Sequence, residues 1–323
     1  MNHCVNFAYA LNGPMEGQRL DPATAVEVLR EQNLGWVHLA ADHPDTQAWV
    51  AGNLDYLHET IIEALLAPAT RPRAIPIEDG LLVILRGVNM NEGRDPEDMV
   101  SIRVWADAER IVTLTRQRVR ALEDISQAIE AGHGPETAGE FLAMLAQRLN
   151  ARLEPLVHDL DQETDALEED VIGSPGQTLR KRIVEMRLQV IELRRHASPQ
   201  RLALAALEDT GSPLLDGDDL RHIQETRDRL TRQVENLDEM RDSLAVLREE
   251  LSSQLSDRLN RNMYILSILS AIFLPLGFLT GLLGINVGGM PGAQDPDAFW
   301  YVSGGLLAVG LLQVLFLRRA RWL

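Results

Sequence analysis

The feature that most constrains this chain is a pair of uncharged runs near its C-terminal end. Residues 265–283 (ILSILSAIFLPLGFLTGLL) and 299–317 (FWYVSGGLLAVGLLQVLFL) are each nineteen residues without Asp, Glu, Lys or Arg. As a helix, such a run rises about 28 Å, enough to cross the hydrocarbon core of a bilayer. In lipid every backbone N–H and C=O must find a partner, and a helix supplies it within the segment. The expectation is two spanning helices joined by a short connection, with the residues before 263 standing in water.

Arginine placement orients the pair. Arg258 and Arg261 precede the first run, Arg318, Arg319 and Arg321 follow the second, and the connection carries Asp295 and Asp297 but no cation. Positive charge stays on the cytoplasmic side, so both ends are expected there and the connection outside. Trp300 and Tyr301 would mark the outer interface, Tyr264 and Trp322 the inner one. The net charge of −17 argues against nucleic acid as a partner and suits a surface that concentrates cations. The single cysteine, Cys4, rules out an internal disulfide and fits a reducing compartment. The opening residues MNHCVNFAYALNGPMEG lack a basic stretch followed by an apolar one, so no secretory leader is expected.

Upstream, residues 1–135 read as a small mixed α/β domain. Strands are expected at 4–11, 36–39, 73–77, 81–89, 100–105 and 111–116, the last two joined as a hairpin through residues 107–110. Helices are expected from Pro22, with Asp21 as N-cap, and at 46–51 and 54–66. Residues 136–216 read as a helical hairpin, with one arm over 136–171 and its return over 177–196. Its acidic stretch (Asp159, Asp161, Glu163, Asp165, Glu168, Glu169, Asp170) reads either as a solvated helix face or as a weak cation-attracting surface. Residues 217–263 would form a stalk helix continuous with the first span, 264–284. A loop at 285–298, the second span at 299–317 and a tail at 318–323 complete the chain. Between 218 and 283 the only helix-disfavouring residues are Pro275, Gly277 and Gly281. All three lie in the apolar part, where they are tolerated.

Two faces stand out on this long helix. Leu230, Val234, Leu237, Leu244, Leu247, Leu251, Leu255 and Leu259 form an apolar stripe in steps of three, four and seven. A second register runs through Glu239, Asp242, Val246, Glu249, Ser253, Ser256, Asn260, Met263, Ser267, Ser270, Leu274, Gly277, Gly281 and Gly284. It changes from acidic to hydroxyl to small. Within a membrane, polar and small residues face water or other helices rather than lipid. One reading is a water-filled path lined by this stripe, with Glu239, Asp242 and Glu249 at its inner mouth. The other is helix packing, with Gly277 and Gly281 as a small-xxx-small contact. Two spans cannot enclose a path in one subunit, so a channel would need several copies in a ring.

Gly284-Ile285-Asn286, directly after an apolar helix containing Phe273-Leu274-Pro275-Leu276, resembles the signature of the CorA superfamily of divalent-metal transporters. The order of parts is similar too: cytoplasmic α/β domain, helical hairpin, stalk and two C-terminal spans. The continuation Val287-Gly288-Gly289-Met290-Pro291-Gly292 resembles the zinc-transporting ZntB branch; the magnesium branch usually has Met at the place of Ile285. The resemblance implies a funnel-shaped homopentamer in a bacterial inner membrane, whose first spans line a central path for divalent cations, most of all Zn2+. It puts Gly284, Ile285 and Asn286 at the outer mouth and Asn260, Met263, Ser267, Ser270, Leu274, Gly277 and Gly281 along the path. Asn286 would present neutral oxygens to a hydrated cation, and Gly284 would permit close backbone approach and an unusual dihedral. Proton-driven zinc uptake is linked to that branch.

No other zinc-binding pattern is convincing. His3-Cys4 lies at a terminus, His38, Asp42 and His43 need not converge, and His158, Asp159 and Asp161 read as a solvated face. HxxxH, CxxC, HExxH, GxxxxGK and GxSxG are all absent, so neither an enzyme nor a bound cofactor is expected. Against a zinc transporter stand a magnesium, cobalt or nickel channel of the same superfamily and a non-transporting membrane-anchored scaffold. The outer connection, fifteen residues over 284–298, is too short for the sensor domain that a scaffold would use.

Overall fold

A computed structural model of the chain describes residues 4–30, 33–173, 177–285, 292 and 294–320. They fall into two compact units, Met1–Arg248 and Glu249–Leu323. The first holds strands β1 (Val5–Ala10), β2 (Gly35–Ala40), β3 (Arg73–Ile77), β4 (Gly80–Gly87), β5 (Val100–Ala106) and β6 (Arg110–Thr115). They form one sheet in the order β1-β2-β6-β5-β4-β3. Only β2 and β6 run parallel, with Val37 beside Val112 and Leu39 beside Leu114; the other neighbours are antiparallel.

Both faces of the sheet are covered over β2, β4, β5 and β6, whose residues are buried on both sides rather than alternating, while the edge strand β3 buries only Ala74. On one face lie α1 (Pro22–Val28), α2 (Thr46–Asn53) and α3 (Glu59–Leu66). Val28, Trp49, Val50, Ile61 and Leu65 pack there in one core with Leu39, Leu82, Trp105, Val112 and Leu114. As expected, Asp21 caps α1, its Oδ1 accepting from the N–H groups of Ala23 (3.0 Å) and Thr24 (3.3 Å). By contrast α3 begins at Glu59 rather than at residue 54. Leu54 closes α2 instead, its N–H donating to Val50 O, and His58 caps α3 by accepting the Thr60 N–H at 3.2 Å.

On the other face lie α4 (Arg120–Glu130), α5 (Ala138–Gly173) and α6 (Gln177–Glu208). Trp36 meets Phe141 of α5 edge-on at 4.9 Å, and the Tyr9 hydroxyl reaches Ser126 and Glu130 of α4, both at 2.7 Å. At Gly87 a Cβ would come 2.8 Å from Leu149 Cδ2, so the missing side chain lets β4 approach α5. The hairpin α5–α6 closes on a buried seam of Leu160, Thr164, Leu167, Val171, Ile183, Met186 and Val190.

Helix α6 runs twelve residues beyond the expected end at 196, through Pro199. A proline forfeits one backbone hydrogen bond. Packing outweighs that loss: Ala197, Ala203, Leu204 and Leu207 are buried, and Gln200 Oε1 accepts the Arg86 N–H of β4 at 2.6 Å. Helix α7 (Gly217–Leu283) follows, opened by Asp216, whose Oδ1 accepts from the N–H groups of Asp218 and Asp219 at 2.7 and 2.8 Å. Of the anticipated apolar stripe, Leu230, Val234, Leu237, Leu244 and Leu247 are buried in the first unit. In the second unit Leu259 is 64 % exposed. That unit contains the rest of α7 and α8 (Ala298–Arg319).

Candidate ion pathway

Helices α7 and α8 are both long and apolar enough to cross a membrane. They are not core helices of a water-soluble body, because only 0 % and 6 % of their apolar windows is buried. Within this unit they pack through one face each. In the apolar run of α7, residues 265–283, Ile268, Ile272, Leu276 and Leu279 are the partly covered residues, spaced by four, four and three; on α8 they include Ser303, Leu306, Val309, Gly310, Gln313, Val314 and Leu317. Gly310 of α8 faces Leu276 of α7, since a Cβ there would lie at an ordinary contact distance, 3.9 Å, from Leu276 Cδ1.

The second stripe occupies the opposite side. At 100° per residue, Asn260, Met263, Ser267, Ser270, Leu274, Gly277 and Gly281 centre roughly 170° around α7 from the packed face. All seven are exposed, Met263 at 66 % and Leu274 at 72 %. A Cβ on Gly277 or Gly281 would meet nothing within 4 Å, so these glycines do not serve packing between α7 and α8 of one chain. Ser267 donates its hydroxyl proton to Met263 O at 2.8 Å. Its oxygen is left as an acceptor toward the open side, the polarity that the water shell of a cation needs.

Of the expected outer mouth, Gly284 and Ile285 are among the described residues. Gly284 ends α7, its N–H donating to Thr280 O at 2.9 Å. A Cβ there would stand 3.1 Å from that same oxygen and 3.7 Å from Gly281 O, both in the preceding turn of its own helix. The unusual dihedral expected at Gly284 is not found: it is not among the positive-φ glycines. Ile285 is 47 % exposed. Asn286 lies outside the described residues, as do Val287, Gly288, Gly289, Met290 and Pro291, and also His3 and Trp322.

The acids expected at an inner mouth, Glu239, Asp242 and Glu249, are all exposed. Asp242 is not a free charge: Arg241 holds it through Nε at 3.0 Å and Nη2 at 2.8 Å. Sequence reasoning missed this, although the adjacent cation was in view. It also missed the packed face of α7, which the four-residue spacing of Ile268, Ile272 and Leu276 could have revealed. In the hairpin, Arg182 pairs with Asp170 at 3.0 Å and approaches Glu163 at 3.9 Å; Asp159, Asp165, Glu168 and Glu169 are exposed and Asp161 is half-buried. His38 and His43 do not converge, since His38 is buried against Thr113 and Thr115 while His43 faces Asp45 at 3.9 Å. His158 bonds Gln162 at 2.9 Å. Among the described residues no group of three or more His, Cys, Asp or Glu is placed to hold a metal ion.

An α/β unit and two exposed apolar helices, one bearing a polar stripe turned away from its partner, are the features of a membrane protein. The profile of the "CorA-like Mg2+ transporter protein" family matches residues 31–319, and the chain belongs to that family, whose members are membrane transporters rather than enzymes. The "Divalent cation transporter CmaX" of Pseudomonas aeruginosa is 39% identical over 328 residues, covering 98% of this chain and 96% of the relative. The "Zinc transport protein ZntB" of Yersinia enterocolitica is 34% identical over 317 residues, covering 98% and 95%. The solved structure of full-length CmaX superposes with a TM-score of 0.84 at 38% identity, covering 100% of this chain and 99% of the other. The CorA magnesium transporter of Methanocaldococcus jannaschii superposes at 0.79 with 17% identity and full coverage of both chains, a likeness of fold alone. The expected CorA-like fold is therefore the observed one.

Proposed function

We propose that this chain carries divalent cations, zinc in preference, across a bacterial inner membrane with both termini in the cytoplasm. Several copies, five by the family resemblance, would stand in a ring with their α7 spans inward. The observation that carries the reading is the orientation of the stripe from Asn260 to Gly281, exposed and opposite the face that α8 covers. A ring gives such a face a common axis to line. Gly284, Ile285 and Asn286 would form the outer mouth, where amide and carbonyl oxygens accept hydrogen bonds from a hydrated ion. Such neutral oxygens release an ion that thiolate or imidazole would hold tightly.

A second reading within the family, a magnesium, cobalt or nickel channel, is favoured by the family description and by the higher identity to a relative named only for divalent cations. Zinc uptake into proteoliposomes with an internal indicator separates them, run with and without a pH gradient, with magnesium as competitor and Asn286→Ala in parallel. Zinc entry that the variant loses supports the zinc reading and the mouth at Asn286. Entry of magnesium without zinc moves the chain to the second reading. Absence of flux for both ions in oligomeric, folded protein overturns transport and leaves the membrane-anchored scaffold.

A further inference from the structure

One end of the sheet breaks its own apolar pattern. The β4–β5 register pairs Leu82 with Trp105, Ile84 with Arg103 and Arg86 with Ser101. Cross-strand partners share a face, so both arginines lie on the side that α1–α3 cover at Leu82 and Trp105. Helix α3 stops at Leu66. Beyond it a cavity of about 230 Å³ is walled by Arg86, Arg94, Arg103, Arg116, Thr70 and Gln117 among others.

The wall is cationic and under-satisfied. Arg103 is 2 % exposed. Its Nη2 donates to Ala67 O, at the C-cap of α3, at 2.9 Å, while its Nε and Nη1 have no partner among the described residues. Arg86 gives Nη1 to Met99 O at 2.7 Å and Nη2 to Thr70 O at 2.9 Å, and its Nε is likewise without a partner. None of the four arginines enters an ion pair among the described residues. Asp98 also borders the cavity, one carboxylate against four guanidinium groups. Burial, then the charges of Arg116 and Arg86, bring the Arg103 pKa down to about 10, so it still carries its proton at neutral pH. Farther off, Arg195 and Glu192 of α6 act on Arg86 with opposite signs.

Buried like charges without a counter-ion are costly, and convergent guanidinium donors match the oxygens of a doubly charged anion. We propose that this cavity binds a small tetrahedral oxyanion, either free phosphate or the phosphoryl group of a phosphate monoester. The hydroxyls of Thr70 and Ser101, 2.6 Å apart, stand on the same wall and add donors that a halide would not need. The site lies in the soluble unit, and its binding does not depend on the transport reading.

The test is isothermal titration calorimetry on the full chain in detergent, at fixed ionic strength, with inorganic phosphate, glycerol phosphate and chloride in separate runs. Saturable binding of inorganic phosphate or of the ester supports the proposal, and which of the two binds tighter identifies the source. Arg94→Ala and Arg116→Ala alter exposed residues, and each is expected to weaken binding about tenfold, the usual loss for one charge-assisted contact. Arg103→Gln is expected to abolish binding; if that variant does not fold, the two exposed variants carry the test. No saturable heat with either phosphate, an affinity unchanged in both exposed variants, or chloride binding as tightly, would each overturn it.

Discussion

His38 is a titratable group placed where its charged form is disfavoured. It is 4 % exposed, with Nδ1 3.0 Å from Thr113 Oγ1 and Nε2 3.4 Å from Thr115 Oγ1. Burial pulls its pKa down to about 4, against weaker opposing effects of Thr113 and Glu123. In the unfolded chain the value is about 6.5. Between those values the unfolded state holds more protons, so stability is full above pH 6.5 and declines as pH falls toward 4. The loss amounts to about 2 kcal/mol at pH 5. Thermal unfolding at pH 7 and pH 5 should therefore show a larger drop for the wild type than for His38→Gln; equal drops would remove His38 as the source. Gly139 makes a steric case. A Cβ there would run into the Asp219 carboxylate and Leu214 O, at the entry to α7, where Asp219 is only 6 % exposed. Gly139→Ala should destabilise by about 1–3 kcal/mol. Gly52→Ala, with nothing within 4 Å of its new Cβ, should be neutral or slightly stabilising through helix propensity. Similar melting temperatures for the two variants would contradict this account. Residues of this kind are hard to read in a sequence: Gly139 and Arg103 look ordinary until a distant segment is laid against them.

At the scale of elements, periodicity was informative where one helix or strand meets one environment. The strand at 73–77 agrees to the residue with β3, and the Asp21-Pro22 signal placed the start of α1. It misled where a local stop is overruled from outside. The return arm was expected to end at 196, yet α6 continues through Pro199 because Gln200 bonds the β4 backbone and Ala197, Ala203, Leu204 and Leu207 are buried. The two registers of α7 were both legible, but their angular relation to α8 was not, since that needs a second helix in place. Cysteine scanning tests that relation. The native Cys4 is buried and its thiol pKa is raised by burial, so background labelling should be low. In reconstituted protein, cysteines at Met263, Ser267, Ser270 and Leu274 should react with a water-soluble thiol reagent, and those at Ile268, Ile272 and Leu276 should not. Labelling that ignores this periodicity would count against a wet path along α7.

For the whole molecule, charge and assembly are the relevant quantities. A net charge of −17 draws counter-cations to the surface, and screening removes that pull beyond about 10 Å at 0.1 M salt. Neutralising Glu239, Asp242 and Glu249 together should lower flux most at low ionic strength. Among single changes Asp242→Asn should act least, because its carboxylate is already paired with Arg241 at 2.8 Å and that guanidinium stays held by Asp238 at 2.9 Å. Flux independent of these changes at every salt concentration would remove any role for the acids. A ring also requires that the purified chain sediment as an oligomer in mild detergent; a monomer would leave the exposed α7 stripe without a common axis.

The order of the parts along the chain has a further consequence for biogenesis. The compact unit Met1–Arg248 precedes both apolar runs, 265–283 and 299–317, and its parallel β2–β6 pair closes by residue 115. At about 5–20 residues per second, a ribosome takes roughly 12–50 s to make that unit, longer than most domains need to fold. The N-terminal body is thus largely folded before the first apolar run can be recognised by an insertion machinery. A nascent chain arrested at residue 248 should already resist protease, while one released after residue 320 should depend on a membrane to stay soluble.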